Sequence, residues 1–283
     1  DKNKNEKILN FENSNNQLFS IIKNQKLYEV LNKNLFKIKY FKKIKSKKKL
    51  IKLKKYNLIV NTEYNNVFTK KYFNKKIEKK YNSVAYTTII KHDKIPNNVA
   101  IQIFTKNGPL AFLPISEYET SVVYSINNYL KGEAEIINLI NNYNLKYNLK
   151  KINKINSFRL KGLSLRSYFH KNILAFGDLL HKIHPLAGQG FNMSIRDIKL
   201  LSNLIDKKIN LGLDLDYSLC QEFQKKSKDK NYIFSSSIDW IYELFNLESK
   251  INSNLINKTI NLVGNNKRVN TILKKFADSG ISI

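Results

Sequence analysis

The chain has 283 residues, enough for one large domain or two ordinary ones, and its 42% hydrophobic content excludes a disordered protein. Its single cysteine, Cys220, excludes an intramolecular disulfide and favours a reducing compartment. The net charge of +28 comes almost entirely from lysine. Because phosphate and base recognition favour arginine, we interpret the charge as a solvated lysine surface and predict no nucleic-acid partner. Attraction to an anionic membrane surface is the second interpretation.

Hydrophobic periodicity predicts a mixed α/β chain. Helices are predicted over residues 1–35, 133–143 and 192–205 and through the remainder of the chain to Phe276. Strands are predicted within 36–60 (two or three) and over 83–92, 98–104, 120–126 and 172–176, the middle three in an antiparallel sheet. No apolar run approaches the roughly 18 residues of a membrane span, so any membrane contact is predicted to be peripheral.

Residues 177–192, GDLLHKIHPLAGQGFN, hold three of the nine glycines and follow a predicted strand. Gly177 lets the backbone turn at the carboxyl end of that strand, and Asp178 can accept hydrogen bonds from sugar-type hydroxyls. Gly188 and Gly190 let backbone N–H groups approach a flat ligand, and the helix that follows favours negative charge at its start. The pattern predicts a cofactor cradle, whereas an ordinary strand–turn–helix connection is the alternative for an isolated G-x-G.

Two histidines, His181 and His184, lie in the same window at a spacing of three. No third ligand is evident, so we predict no metal site and interpret both as residues that pack and hydrogen-bond around the cofactor. No glycine precedes Gly108. A G-x-G-x-x-G dinucleotide turn is therefore excluded from the first hundred or so residues.

Residues 177–201 resemble the GD-A-A-H-x-x-x-P-x-x-G-Q-G-x-N-x-G-x-x-D motif of flavin-dependent aromatic hydroxylases. The form H-P-x-A-G-Q-G-F-N is similar to the ubiquinone-biosynthesis branch, the UbiH-type hydroxylases. Residues 100–126 resemble the F-T-x-x-G-P-L-A-F-L-P segment of that branch. The resemblance covers nearly the whole chain and begins part-way into the family pattern, so we expect the G-x-G-x-x-G half on a preceding segment.

The resemblance implies the para-hydroxybenzoate-hydroxylase fold, which is an α/β FAD-binding domain interrupted by a substrate domain built on an antiparallel sheet. The FAD-binding part would comprise residues 1–78 and 166–283, the latter including the C-terminal helices, and residues 79–165 would form the substrate domain. The implied activity is an FAD-dependent monooxygenase that uses O2 to hydroxylate the ring of a polyprenyl phenol in ubiquinone biosynthesis. NAD(P)H or a reductase partner would supply the electrons.

The resemblance also implies a location. The protein would be cytoplasmic and peripheral at the inner membrane of a bacterium with an AT-rich genome, or on the matrix side of the mitochondrial membrane if eukaryotic. It would act there alone or in a ubiquinone-biosynthesis complex.

By the resemblance, Asp178 binds the ribityl chain, Pro185 lies near the reactive edge of the flavin, and residues 188–192 face its pyrimidine side. The implied cofactor-binding set is Gly177, Asp178, Pro185, Gly188, Gln189, Gly190, Phe191 and Asn192. The implied substrate-binding set is an apolar loop made of Gly108, Pro109, Leu110, Ala111, Phe112 and Pro114, for each of which hairpin packing is the alternative. No side chain is assigned as catalytic, because the flavin carries the chemistry.

The sequence departs from the family pattern near the cofactor motif. Leu179 and Leu180 replace two alanines and are expected to crowd the approach to the cofactor. Ser194 replaces a helix glycine, and Arg159 stands in place of a proline.

A further departure follows the predicted strand at residues 58–60, where a G-A-D-G segment is expected and the sequence reads NTEYNN (61–66). Glu63 would stand in for its aspartate. The lost glycines motivate an alternative function, a non-catalytic relative retained as a scaffold in a membrane-associated ubiquinone-biosynthesis complex. A basic nucleic-acid binder is a third hypothesis that rests on charge alone.

Overall fold

The computed structural model describes residues 19–44, 56–127 and 132–251 of the chain. Its helices are α1 (Asn24–Leu35), α2 (Val67–Tyr72), α3 (Glu133–Tyr143), α4 (Gln189–Asn210) and α5 (Tyr217–Ile251). Its strands are β1 (Ile59–Asn61), β2 (Lys76–His92), β3 (Ile101–Thr105), β4 (Gly108–Ser116), β5 (Glu119–Asn127), β6 (Leu149–Ile152), β7 (Asn156–Leu165), β8 (Phe169–His170), β9 (Ile173–Ala175) and β10 (His181–Lys182).

A small sheet has the strand order β1–β9–β8. β1 and β9 pair in parallel, with Asn61 opposite Ala175, so the loops that follow both strands leave from the same edge of the sheet. All three residues of β9 are buried, and they pack in one hydrophobic core with Leu201 of α4 and Phe223 of α5. This core fixes where the segment after β9 begins.

The larger sheet is antiparallel. Within the described ranges its main strand order is β10–β7–β2–β5–β4–β3, and β6 pairs with the far part of β2. Period-two alternation turns one set of apolar side chains toward α3, where Leu110, Phe112 and Tyr124 pack with Ile136. β10 is an edge strand of this sheet, whereas β9 belongs to the small sheet. Residues 177–192 therefore connect the two sheets.

Helices α4 and α5 pack on each other beside this connection. The buried side chains of α4 are Met193, Asp197, Leu201 and Leu204, which lie on one face at spacings of four, four and three. None of the described helices is long and apolar enough to cross a membrane.

Several sequence predictions are confirmed by this architecture. The antiparallel strands, the buried strand within 172–176 and the helix over 133–143 are all present. The predicted helix over 192–205 is longer, from Gln189 to Asn210. Ile195 and Ile198, two apolar residues of this helix, are exposed. The division into domains at residues 79 and 165 stays a prediction.

The predictions near the amino-terminal end were less accurate. The helix predicted over 1–35 begins at Asn24, and its first 18 residues lie outside the described ranges. The strands predicted within 36–60 are wrong in the described part except at β1. After α1 the backbone continues in tight turns, with Lys37 N donating to Asn34 O at 3.1 Å and Ile38 N to Leu35 O at 3.1 Å, which satisfy the polar groups that a strand would pair. Residues 45–55 lie outside the described ranges.

The apolar loop predicted over 108–114 is instead strand β4. It pairs with β3 on one side and with β5 on the other, and this pairing supplies hydrogen-bond partners for its backbone N–H and C=O groups. Leu110, Phe112 and Pro114 are buried on the side that faces α3, whereas Pro109 and Ala111 are partly exposed on the opposite side.

Gly108 starts β4 at a position that only glycine fits. Its φ is 130°, and a Cβ atom there would lie 2.1 Å from the backbone oxygen of Ser125. We expect Gly108→Ala to lower the free energy of unfolding by about 2 kcal/mol or more, because strand β5 must shift. Gly132→Ala, where a Cβ would meet nothing within 4 Å, should cost less than about 1 kcal/mol. Urea denaturation measures both, and equal losses would contradict the assignment.

Candidate functional site

The turn between the two sheets has an open side. Gly177 and Gly188 have φ values of 64° and 65°, the left-handed region that favours glycine. A Cβ atom on either residue would meet nothing within 4 Å among the described atoms. Gly190 differs, since a Cβ atom built on it would lie 3.7 Å from the side chain of Ile183. The two left-handed glycines therefore leave the backbone accessible to a ligand.

Polar groups surround this open side. Asp178 is exposed immediately after Gly177. α4 is 22 residues long and begins at Gln189 without a side-chain cap, so its first N–H groups can donate to a ligand and its positive end favours an anion. Phe191 and Asn192 are exposed in the first turn of the helix. These groups fit FAD. The carboxylate can accept hydrogen bonds from the hydroxyls of its sugar-like chain, and the uncapped helix end favours negative charge on its flavin ring.

The buried side of the turn is held by a carboxylate. His181 of β10 pairs through Nε2 with Asp197 Oδ2 of α4 at 2.8 Å, and both side chains are 3% exposed. Asn231 of α5 donates Nδ2 to Asp197 Oδ1 at 3.0 Å. Asp197 thus joins the edge strand, the helix that starts at the turn and the long helix α5.

Sequence reasoning did not single out Asp197, although two signals were available. It is the final aspartate of the quoted family motif, and it lies four residues from both Met193 and Leu201 in the buried stripe of α4.

His184 lies in an aromatic cluster with no polar partner. Its ring stacks on Tyr242 at 4.1 Å and meets Tyr81 edge-on at 5.1 Å. The side chain is fully buried, and neither ring nitrogen has a hydrogen-bond partner among the described residues. Burial, and secondly the charge of Lys79, lower the pKa of His184 to about 4, so the ring is neutral near pH 7. His181 and His184 therefore serve different purposes, pairing and packing.

The two leucines that replace alanines do not crowd the open side. Leu179 and Leu180 are 1% and 0% exposed and belong to the hydrophobic core with Leu201 and Phe223. The expectation that they obstruct the cofactor was wrong, because the short helical turn at 177–179 directs both into the protein.

The altered segment after β1 forms a closed hydrogen-bonded turn. Asn61 donates Nδ2 to Thr69 Oγ1 at 2.8 Å, and the Thr69 hydroxyl donates to the backbone oxygen of Glu63 at 2.6 Å. Asn66 caps α2 by accepting from Thr69 N at 2.8 Å. Phe176 N donates to Asn61 O at 2.9 Å, which ties this turn to the start of the glycine turn. Side-chain hydrogen bonds thus stabilise a turn where the family pattern has glycines.

Tyr64 in that segment contacts residues of strands β2 and β10. Its hydroxyl donates to Glu78 at 3.1 Å, and the ammonium of Lys182 lies 5.3 Å from the centre of its ring. The hydrogen bonds with Lys76 and Tyr64 lower the pKa of Glu78, and those with Glu78 and Tyr64 raise the pKa of Lys76. Glu63 itself is exposed at the sheet edge shared by β1 and β9.

The structure brings the predicted cofactor residues together and divides the predicted substrate residues. Residues 177, 178, 185 and 188–192 all lie on the one turn. Of the substrate set, only Pro109 and Ala111 share the sheet face that carries Phe104. Phe104 packs against a buried cluster that contains Leu186 of the turn. In the described ranges no three His, Cys, Asp or Glu side chains form a group that could hold a metal ion.

Comparison with known proteins agrees with this geometry. Residues 133–210 match a family model described as an FAD binding domain. The chain is 31% identical over 115 residues to ubiquinone biosynthesis monooxygenase COQ6 of Dictyostelium discoideum, covering 40% of this chain and 23% of that protein. It is 27% identical over 164 residues to the 3-demethoxyubiquinol 3-hydroxylase of Escherichia coli, covering 53% and 40%. It is 25% identical over 174 residues to ubiquinone hydroxylase UbiL of Rhodospirillum rubrum, covering 58% and 41%.

Over part of its length the chain is therefore similar to UbiH-type FAD-dependent hydroxylases. It spans less than half the length of these three relatives. Among solved structures, p-nitrophenol 4-monooxygenase PnpA of Pseudomonas putida superposes with a TM-score of 0.61 at 14% identity, covering 80% of this chain and 60% of that one. HpxO of Klebsiella pneumoniae with FAD and uric acid superposes with a TM-score of 0.60 at 9% identity, covering 78% of this chain and 59% of that one. These likenesses confirm the para-hydroxybenzoate-hydroxylase type of fold.

Removing the Asp197 carboxylate should strongly destabilise the protein. We expect Asp197→Ala to lower the free energy of unfolding by about 3–5 kcal/mol, because His181 and Asn231 lose their buried partner. Asp206→Ala, an exposed carboxylate on the same helix, should change it by no more than about 0.5 kcal/mol. Urea denaturation of the two variants measures the difference. A loss below about 1 kcal/mol in Asp197→Ala would show that the pair is not structural.

His184 should make stability depend on pH. Its pKa in the folded protein, about 4, lies below its ordinary value of 6.5, so below pH 6.5 the unfolded chain binds a proton that the folded chain does not. Stability from this group is complete above pH 6.5 and falls toward pH 4, by up to about 3 kcal/mol. His184→Phe keeps the packing between Tyr81 and Tyr242. Between pH 7 and pH 4.5 its free energy of unfolding should fall by about 2–3 kcal/mol less than that of the parent. Identical losses would contradict a buried neutral ring.

Proposed function

We propose that this chain belongs to an FAD-dependent monooxygenase that hydroxylates an aromatic ring in ubiquinone biosynthesis. The observation that carries the proposal is the open turn at residues 177–192, which presents left-handed glycines, an exposed Asp178 and an uncapped helix end together. The match of residues 133–210 to an FAD binding domain supports the same cofactor.

The residues of the turn divide the work of holding FAD. The Asp178 carboxylate would accept hydrogen bonds from the ribityl hydroxyls, and the backbone at Gly188 would approach the ring without an intervening Cβ. The start of α4 would stabilise negative charge on the ring. Pro185 would lie at the edge of the ring, with Gln189, Phe191 and Asn192 beside it. When bound, FAD supplies the activation of O2 and the transfer of an oxygen atom to the substrate.

A polyprenyl phenol is the proposed substrate, since the curated relatives are named for ubiquinone precursors. The surface that supports it is the face of the large sheet opposite α3. Phe104, Pro109 and Ala111 lie on this face and are partly exposed. Phe104 packs against the buried cluster that contains Leu186 of the turn. Leu110 and Phe112 belong to the core on the α3 side, and Pro114 is buried on that side as well, so these three residues are not proposed as substrate contacts.

The proposed partners follow from the same chemistry. A source of electrons, either NAD(P)H or a reductase, would be required to reduce the cofactor, and O2 would supply the oxygen atom that is transferred to the ring. A polyprenyl substrate resides in a membrane, and the net charge of +28 would favour an anionic membrane surface, so we propose peripheral association at the inner membrane or with a complex there.

Asp178 provides a test of cofactor binding. We expect Asp178→Ala to weaken FAD binding about ten- to hundredfold, because it removes a charge-assisted hydrogen bond worth roughly 1.5–3 kcal/mol. Folding should be unchanged, since Asp178 is exposed. The measurement is a fluorescence titration with FAD of the chain together with any preceding residues its gene encodes, with Asp206→Ala as the matched control. Equal FAD affinity of parent and Asp178→Ala would remove this residue from the site.

A comparison of Gly188 with Gly212 distinguishes loss of ligand contact from backbone strain. Gly188 and Gly212 lie at the two ends of α4, both have a φ of 65°, and both have open space where a Cβ would be. Gly188→Val and Gly212→Val should therefore cost similar amounts of stability, about 1–2 kcal/mol each. Only Gly188→Val should reduce FAD affinity, by about tenfold or more, because its side chain would occupy the ligand's place. Parallel losses of FAD affinity in both variants would show that strain alone is responsible.

The closed turn at residues 61–66 favours a second candidate, a non-catalytic scaffold. Its side-chain hydrogen bonds satisfy groups that a glycine turn would leave for a cofactor. A scaffold should tolerate both Asp178→Ala and Gly188→Val in a complementation assay for ubiquinone production, provided that the variants fold. Loss of ubiquinone with retained folding would support the enzyme and exclude the scaffold.

A further inference from the structure

The unpaired imidazole of His184 is the polar feature that the proposed function leaves unexplained. The side chain is 0% exposed, and neither Nδ1 nor Nε2 has a partner among the described residues. A phenylalanine would make the same ring contacts with Tyr81 and Tyr242 without burying two polar atoms. Buried polar groups in proteins are almost always hydrogen-bonded, so the nitrogens call for a partner beyond the side chains that the structure describes, and a bound ligand is one such partner.

The neighbouring hydroxyls are engaged elsewhere. Tyr81 donates its hydroxyl to Asp239 at 2.6 Å, and Tyr242 donates to Asn127 at 2.7 Å. Lys79 completes this arrangement through its ion pairs with Asp239 at 3.4 Å and Glu243 at 3.2 Å. The charged groups around the ring thus pair with one another and hold α5 against β2. None of these four contacts involves the imidazole of His184.

The place of His184 points to the substrate side of the site. Tyr81 packs with Ala85 of β2, and Ala85 is aligned with Ser125 of β5 on the sheet face opposite α3. This is the face that carries Phe104 and Pro109. Pro185, which follows His184 directly, is the residue proposed to lie at the edge of the flavin ring. His184 therefore stands where the glycine turn meets the proposed substrate surface.

We propose that His184 is a specificity-determining residue that recognises the ring hydroxyl of a phenol through a hydrogen bond to its imidazole. The proposal rests on the proposed function, because it requires a phenol to bind at this turn. A neutral imidazole offers one bare nitrogen as an acceptor for the phenol O–H and one N–H as a donor. The ligand would have to displace packing at the edge of the ring, since the side chain of His184 is fully buried.

The histidine acts as a hydrogen-bonding group, with no transfer of the phenol proton. Desolvation between two tyrosines and the positive charge of Lys79 both oppose a second proton on the ring. Discrimination would arise because a ring ether in place of the hydroxyl leaves the acceptor nitrogen buried and unpaired.

The test compares two small probes that differ by one methyl group, 2-methoxyphenol and 1,2-dimethoxybenzene. Each is titrated into FAD-supplemented protein and followed by ring-nitrogen NMR of ¹⁵N-labelled histidine. The chain has four histidines, and His184→Phe assigns the resonance of His184. His170→Phe is the matched control, because His170 also stacks on a tyrosine, Tyr72 at 4.0 Å, but on β8 of the small sheet.

We expect the parent and His170→Phe to bind 2-methoxyphenol about fivefold or more tightly than its methyl ether, and His184→Phe to bind both within about twofold. The His184 nitrogen resonances should move with 2-methoxyphenol and not with the ether. Unchanged discrimination in His184→Phe, unmoved resonances at saturation, or no binding of either probe would overturn the proposal. The FAD titration is evaluated separately. Failure to bind FAD would contradict the proposed function, whereas FAD binding without discrimination between the two probes would contradict only this inference.

Discussion

The buried carboxylate of Asp197 is the constraint on which the rest of the site depends. It receives hydrogen bonds from His181 on the edge of the large sheet and from Asn231 on α5, and it sits on the helix that begins at the glycine turn. Loss of either partner would leave the buried carboxylate underpaired, so Asp197 holds the edge strand β10 of the large sheet, α4 and α5 in one arrangement. The open side of the turn can then be built from backbone and small residues, because its geometry is enforced from the buried side.

The two sheets divide the functions of the molecule. Parallel pairing of β1 with β9 brings the ends of both strands to one edge, where the cofactor motif begins. The antiparallel sheet offers a partly exposed apolar face beside the same turn, and Phe104 on that face packs against the buried cluster that contains Leu186. A flat cofactor at the turn would therefore lie next to a hydrophobic surface, which is the arrangement that ring hydroxylation of an apolar phenol requires.

Much of this could be predicted from the sequence, and the failures have physical reasons. The glycine turn was predictable because left-handed backbone at Gly177 and Gly188 demands glycine, and the strands within 83–126 because they alternate with period two. The role of residues 108–114 was not, since an apolar run with two prolines and a glycine reads as a loop until β3 and β5 pair with it. The inward direction of Leu179 and Leu180 depends on the core contributed by α4 and α5, which local sequence does not reveal. Asp197 was overlooked because a charged residue in an amphipathic helix is normally exposed.

Amide hydrogen exchange with and without FAD tests the central claim most directly, because it reports where the cofactor binds. The account predicts that FAD slows exchange in residues 177–192, including the first turn of α4, and in the adjoining turn at 61–66. The core face of β4 and the carboxyl-terminal half of α4 should be unaffected, since they lie away from the open side. Protection elsewhere with none in residues 177–192, or no protection at saturating FAD, would contradict the assignment of this turn as the cofactor site.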